Sequence, residues 1–176
     1  VVGDVLRVRR RHVEAAMSRA GIPNPARRAR AMYRTLARGL TDFLGVMIGP
    51  ASKLRGVALP DATISELRSR GRGAVVATAH TGSWDLAACA MAHAAPLNVV
   101  TKRLHVKVLD AVWQGVRRRC GVKLLGVGGA GSEALGALRR GEFVAMLIDQ
   151  APERSRSVTR VRFLGGDAWV DLAPAL

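Results

Sequence analysis

The sequence predicts an α/β fold, with a mostly parallel central sheet, helices on both of its faces and a helical hairpin at the N-terminus. Three observations predict it. From residue 74 onward, short apolar runs rich in β-branched residues alternate with segments of helical periodicity, the pattern of a parallel sheet with crossover helices. Before residue 50 the periodicity is helical. The chain has 176 residues, nearly half of them hydrophobic, enough to bury a core without metal or disulfide, and it fits one domain.

Taken in order, residues 4–20 and 26–48 read as helices. In the second, Met32, Leu36, Leu40, Phe43, Leu44 and Met47 recur at helical spacing with arginines between them. Gly21-Ile22-Pro23-Asn24-Pro25 breaks the pair. Lys53–Leu59 is expected to be a short strand and Ala62–Ser69 a short helix closed by Gly71. Ala74–Ala79 reads as a buried strand, followed by a helix from Trp84 to His93, a strand over Asn98–Thr101 and a helix over Leu104–Cys120 ended by Gly121. A strand over Val122–Leu125, a helix over Ser132–Arg140 and a strand over Phe143–Ile148 continue the alternation. The single domain thus has a helical part, residues 1–50, and an α/β core, residues 53–176. Ligands of such sheets bind at the carboxyl ends of the strands. Those ends carry His80, Lys102 with Arg103, Gly126, and Asp149 with Gln150.

Charge narrows the partners. The formal net charge is +15, and 10 of the 28 basic residues fall in the first 40 positions. Nucleic acid, anionic lipid headgroups and acidic proteins all suit such a surface. Cys89 and Cys120 sit in apolar or helical stretches without metal-ligand spacing and are expected to be buried thiols. No uncharged apolar run is long enough to span a bilayer; the longest candidate, Leu86–Thr101, contains His93, Pro96 and Asn98. The chain starts at Val1 and stops at Leu176 inside what looks like a new segment, so it is expected to be a piece of a longer protein.

The candidate chemistry is in His80-Thr81-Gly82-Ser83-Trp84-Asp85, directly after the first strong strand. A turn at Thr81-Gly82 would let Asp85 accept a hydrogen bond from one imidazole nitrogen, leaving the other to take a proton from a hydroxyl. From the residues alone, a strand-end histidine that merely caps the next helix stays open. Ser83 has no GxSxG elbow around it, which argues against a serine triad.

The hexapeptide has the form H-x-G-[NS]-W-[DE] and resembles the His-x4-Asp/Glu motif of the lipid A biosynthesis acyltransferase family. That family includes lauroyl and myristoyl transferases and mycobacterial phosphatidylinositol mannoside acyltransferases. Leu59–Ala79, the block Gly141-Glu142-Phe143 through Leu147-Ile148-Asp149-Gln150, Val161–Gly166 and Ala173–Leu176 are similar to further blocks of the family. The resemblance covers almost the whole chain, though the first 50 residues match in style only. It implies a glycerolipid acyltransferase-like fold and direct acyl transfer from an acyl thioester, on acyl carrier protein or coenzyme A, to a lipid hydroxyl such as that of a lipid A precursor. His80 would be the general base and Asp85 its orienting partner. Gly82 and Ser83 would supply oxyanion N–H donors, and Lys102, with Arg103, would bind phosphate or thioester. Asp149 and Gln150 would shape the acceptor site, unless Asp149 pairs with a nearby arginine. Trp84 reads as packing. The thioester is a co-substrate, so no cofactor or metal is expected. The implied setting is the cytoplasmic face of the bacterial inner membrane, with an anionic lipid acceptor and no nucleic acid. Arg117-Arg118-Arg119 and Arg154, Arg156, Arg160 and Arg162 are candidate contact surfaces.

Two other readings stay open. Gly126-Val127-Gly128-Gly129-Ala130-Gly131 is a literal GxGxxG between a strand and a helix, with Asp149 at about the spacing of a dinucleotide site. Against it, the turn follows the third strand of the sheet, not the first. The charge suggests a nucleic-acid-binding module, yet only seven aromatic residues occur (three Phe, three Trp, one Tyr), none interleaved with a basic stripe.

Overall fold

The computed structural model describes residues 9–49, 54, 57–126, 128–149 and 158–171. Two helices, α1 (Arg10–Arg19) and α2 (Pro25–Ile48), form the N-terminal hairpin and pack on each other. Pro25 stands at the start of α2, where its fixed φ suits a helix and its missing N–H is not needed. Asn24 before it is left-handed, at φ 55°. Residues 4–8 of the expected first helix lie outside the described residues. So do 53, 55 and 56 of the expected strand at Lys53–Leu59; Val57, Ala58 and Leu59 pair with no strand among the described residues, and the Val57 N–H donates to the Leu54 carbonyl. The apolar residues that suggested a strand, Leu54, Val57 and Leu59, instead pack into the core.

Helix α3 (Asp61–Ser69) leads into the sheet, in which β1 (Ala74–Thr78), α4 (Trp84–Ala94), β2 (Leu97–Thr101), α5 (Lys107–Arg119), β3 (Lys123–Gly126), α6 (Ala130–Arg139) and β4 (Phe143–Leu147) alternate. All four strands are parallel, in the order β1-β4-β2-β3. The order dictates which face each helix covers. The crossovers through α4 and α5 run in one direction along the sheet and the crossover through α6 runs back, so right-handed connections place α6 opposite the other two.

The strands are apolar on both faces for that reason, and alternate residues enter different cores. Phe143, Ala145, Val99 and Leu97 join Phe43 and Val46 of α2, Ile64 of α3, Cys89 and Ala90 of α4, and Val116 of α5 in the larger core. Val144 and Leu125 join Ala134 and Ala137 of α6 on the other side, with Val100 and Met146 packed against them. At β1 that second face is thinly covered: Val75 and Ala77 are exposed. A tilted ring pair, Phe43 with Trp113 at 4.9 Å, fastens α2 to α5 and is worth about 1 kcal/mol beyond its buried area.

The amino ends of the strands are held by a second device. Glu142 is buried and accepts hydrogen bonds from Asn98 (2.8 Å), Lys123 (2.9 Å) and Arg140 (3.1 Å). These bonds hold its carboxyl down to about 2, the arginine contributing most. A hairpin of β5 (Val158–Phe163) and β6 (Gly166–Asp171), antiparallel and closed at Leu164-Gly165, follows the sheet. Its strands carry mixed charged and apolar residues without the clean run that marks the buried strands, so no strand is expected there from the sequence.

Two outcomes follow from this packing. A Cβ on Gly73 would lie 2.5 Å from the Leu138 Cα and carbonyl oxygen and 2.7 Å from the Glu142 carbonyl oxygen, all backbone atoms. Gly73→Ala is therefore expected to cost about 1–3 kcal/mol in urea unfolding. Because the folded Glu142 has a depressed pKa, its contribution is present above the usual value of 4.5 and is lost as pH falls toward about 2. Unfolding free energy measured across that window should fall with acid, and Glu142→Gln should flatten the fall.

Candidate active site

The strand order brings together two residues 69 positions apart in sequence. In the β1–β4 ladder Thr78 stands opposite Leu147, and the Ile148 N–H donates to the Thr78 carbonyl. Two residues further along the same register, His80 meets Asp149. The His80 main-chain N–H donates to Asp149 Oδ2 at 2.8 Å, and its ring Nδ1 lies 2.7 Å from Asp149 Oδ1. Both carboxylate oxygens thus hold one histidine. A carboxylate accepts, so Nδ1 carries the proton and the neutral ring keeps its lone pair on Nε2. Burial pushes the Asp149 carboxyl upward, but the bonds from the His80 ring and main chain outweigh it, and the net direction is down. The Trp84 ring meets the imidazole edge to face, with centroids 5.0 Å apart, which limits its rotation. Trp84 is a packing residue, as its sequence context predicts, and what it packs is the histidine.

The expected bond between His80 and Asp85 does not form. Asp85 is buried, only 5% exposed, and its Oδ1 accepts from Arg117 Nε at 2.8 Å and Nη2 at 2.6 Å. The reason is helical geometry. Asp85 is the second residue of α4, and its side chain turns inward against α5, while His80 stays on the strand side of the turn. Arg117 also donates to Thr101 Oγ1 (2.9 Å) and Gln114 Oε1 (3.2 Å). Gln114 in turn donates to Asp110 Oδ1 (3.2 Å), which accepts the Leu104 N–H (3.0 Å). One network therefore joins the start of α4, the end of β2, the turn after it and α5 from Asp110 to Arg117. That bond to Leu104 also explains why α5 starts at Lys107 and not at Leu104.

Gly82 makes the turn between histidine and helix, with φ at 59°. Ser83 is the residue before α4, and its hydroxyl faces α2, 3.4 Å from the Gly39 carbonyl oxygen. Its side chain is thus a packing contact. The N–H groups of Gly82, Ser83 and Trp84 reach no backbone carbonyl among the described residues, as at any uncapped helix start. Lys102 and Arg103 are exposed in the turn after β2. The ladder between β2 and β4 ends at Val99 and Ala145, although each strand runs two residues further with its other neighbour. The sheet parts there, and the split opens between the end carrying Asp149 and the end carrying Lys102 and Arg103, where open α/β sheets bind ligands.

Other expectations resolve differently. Gln150, Arg154, Arg156 and Ala173–Leu176 lie outside the described residues. Arg160 and Arg162 both pair with Asp167 on the hairpin. Arg117 is no contact residue, since it is buried against Asp85, while Arg118 and Arg119 are exposed. Among the described residues Asp149 pairs with His80 and with no arginine. Cys89 and Cys120 are free and buried, as expected; burial, and then contact with Cys120, push the Cys89 thiol up. The GxGxxG turn follows β3, an edge strand, and a Cβ on Gly126, Gly128 or Gly131 would meet nothing within 4 Å. The third glycine of a dinucleotide fingerprint lets helix and strand pack closely; Gly131 makes no such contact, and the turn sits at the edge of the sheet, so the geometry does not favour that reading.

The sequence did contain a sign of Arg117. Trp113, Val116, Arg117 and Cys120 share one helical face, and an arginine on an apolar stripe needs a buried partner. Removing either member leaves an uncompensated buried charge. Asp85→Ala or Arg117→Ala is expected to lose about 3–5 kcal/mol, while Asp85→Ala combined with Arg117→Met should lose less than the sum. Chemical denaturation of the three variants measures this.

Comparison with known proteins agrees with the geometry. No curated protein matches the chain. The sequence pattern of the family described as bacterial lipid A biosynthesis acyltransferase matches residues 23–176. That span takes in α2, the whole parallel sheet and the rim with His80 and Asp149, so the chain belongs to the bacterial lipid A biosynthesis acyltransferase family and is an acyltransferase.

Proposed function

We propose that the protein transfers a fatty acyl chain from an acyl thioester to a hydroxyl of a membrane glycolipid or phospholipid, such as a lipid A precursor, with His80 as general base and Asp149 as the carboxylate that orients it. The pairing of His80 Nδ1 with Asp149 at 2.7 Å carries the reading. Nε2 takes the acceptor hydroxyl proton as its oxygen attacks the thioester carbonyl. The carbonyl oxygen becomes an oxyanion, for which the N–H groups of Gly82 and Ser83 and the Arg103 guanidinium are candidate donors. The intermediate collapses, the carbon–sulfur bond breaks, and the imidazolium returns its proton to the leaving thiolate. Asp149 stabilises the imidazolium throughout. Every group needed is a side chain or backbone donor, so the acyl thioester enters as co-substrate without a cofactor.

Asp85 acts at one remove. Through Arg117 it sets where α4 begins, and so where Gly82, Ser83 and Trp84 stand around the histidine. Gln150, adjacent to Asp149, and Lys102, beside Arg103, belong to the acceptor side of the site. The donor is acyl carrier protein or coenzyme A, and a basic chain suits either. The acceptor lies in an anionic leaflet on the cytoplasmic side of the inner membrane. A cavity of roughly 500 Å³ at the start of α2, lined by Arg27, Arg30 and Arg34, adds to the surface that such a leaflet would attract. No helix among the described residues is long and apolar enough to cross a membrane.

Acyl transfer from radiolabelled acyl carrier protein and acyl-coenzyme A to a panel of phosphorylated lipid acceptors tests this. His80→Ala is expected to lower transfer by roughly 10²–10⁴-fold in a folded protein, and Asp149→Asn to lower kcat by a comparable factor with little change in stability. Transfer unaffected by His80→Ala would remove the base, and loss in Asp85→Asn but not in Asp149→Asn would return the orienting role to Asp85.

A further inference from the structure

The turn after β2 and the first turn of α5 present apolar side chains to solvent beside the catalytic rim. Val108 is 73% exposed, Val106 and Leu109 57% each, and Leu104 45%. Leu109 belongs to the stripe that continues through Trp113 and Val116 into the core, but it overhangs the end of the sheet. Val108 stands well off that stripe. Leu104 and Val106 lie in the turn itself, where polar residues are the rule. The Asp110 carboxylate holds this turn by accepting the Leu104 N–H, so the apolar residues are displayed by a fixed structure. Arg103 and Lys107 are interleaved with them. Asp110 is the one acid between Asp85 and Glu133, and it is occupied by Leu104 and Gln114.

We infer that this rim, Arg103 to Leu109, is the surface that enters the headgroup region of an anionic phospholipid bilayer and brings the site to its acceptor. The inference deepens the proposed lipid-directed reaction and rests on it. Apolar side chains interleaved with cations on a short amphipathic segment are what an interface receives, the cations staying at the phosphates while the apolar groups pass below. A single acyl chain could cover one line of side chains. Residues facing as differently as Val108, Leu109 and the turn are covered together by a plane. The rim carries the carboxyl ends of the strands, so insertion here sets the cleft between Asp149 and Arg103 at the membrane surface.

The test places an environment-sensitive fluorophore on Val108→Cys and, as a control, on Leu135→Cys, an exposed position of α6 on the other face of the sheet. Vesicles contain phosphatidylglycerol in phosphatidylcholine, with or without spin-labelled lipid. Quenching at position 108 and not at 135 is expected. Val108→Glu with Leu109→Glu should lower vesicle binding by at least about tenfold while leaving transfer to a detergent-dispersed acceptor unchanged. No vesicle binding, or a bound protein unquenched at 108, overturns the inference. So does a fluorescence change at 108 produced by acyl thioester without vesicles, which would make the rim part of the acyl site. Absence of transfer in every form would count against the acyltransfer mechanism alone, because the quenching is read without turnover.

Discussion

The site depends on one buried ion pair. Removing Asp85 and Arg117 from water is expensive, and their attraction offsets that expense only when the remaining hydrogen-bonding groups are satisfied. Here they are: the arginine donates to Asp85, Thr101 and Gln114, and no fully buried side-chain nitrogen or oxygen among the described residues lacks a partner. The pair joins α4 to α5, and Thr101 joins both to β2. Three elements that each begin or end at the carboxyl edge of the sheet are thereby held in one arrangement. An apolar contact of the same size could bind the helices, but it would not specify the rotation of α4 that leaves Gly82 and Trp84 beside His80.

This assigns the two carboxylates of the rim different tasks. The acid in the hexapeptide is close to the histidine in sequence and faces away from it. The acid that touches the histidine is 69 positions away in sequence and arrives at the end of the neighbouring strand β4, by strand register. A histidine on a strand end is held firmly this way, because the ladder between β1 and β4 fixes both backbones. The carboxylate then grips the main-chain N–H as well as the ring, leaving the imidazole little freedom in position or tautomer.

Charge and apolar exposure are distributed with the same logic. The arginines of α1 and α2 lie on the helical hairpin, and the exposed apolar residues near the site lie at the turn between β2 and α5. Gly39 of α2 meets Ser83 at the start of α4, while Phe43 and Val46 further along pack into the core. The first half of α2 therefore stands beyond the rim, so the most basic helix and the catalytic edge belong to one end of the molecule.

The alternation of strand and helix, the helical hairpin and the residues at the strand ends, His80 among them, were all legible in the sequence, because they rest on local periodicity and on patterns within a few residues. Element ends agree to within a few positions, and the family resemblance carried the reaction class. The strand at residues 53–59 was misread because a short apolar run has no period that separates strand from irregular core packing. The buried partner of Arg117 could have been suspected from its place on an apolar helical stripe, but not identified. Which carboxylate serves His80 was beyond the sequence altogether. That depends on β4 inserting between β1 and β2, a choice made by the packing of α4, α5 and α6 on opposite faces of the sheet. The sequence determined the residues available at the rim, and the tertiary structure decided their partners, because strand order is set by long-range burial and not by any local preference.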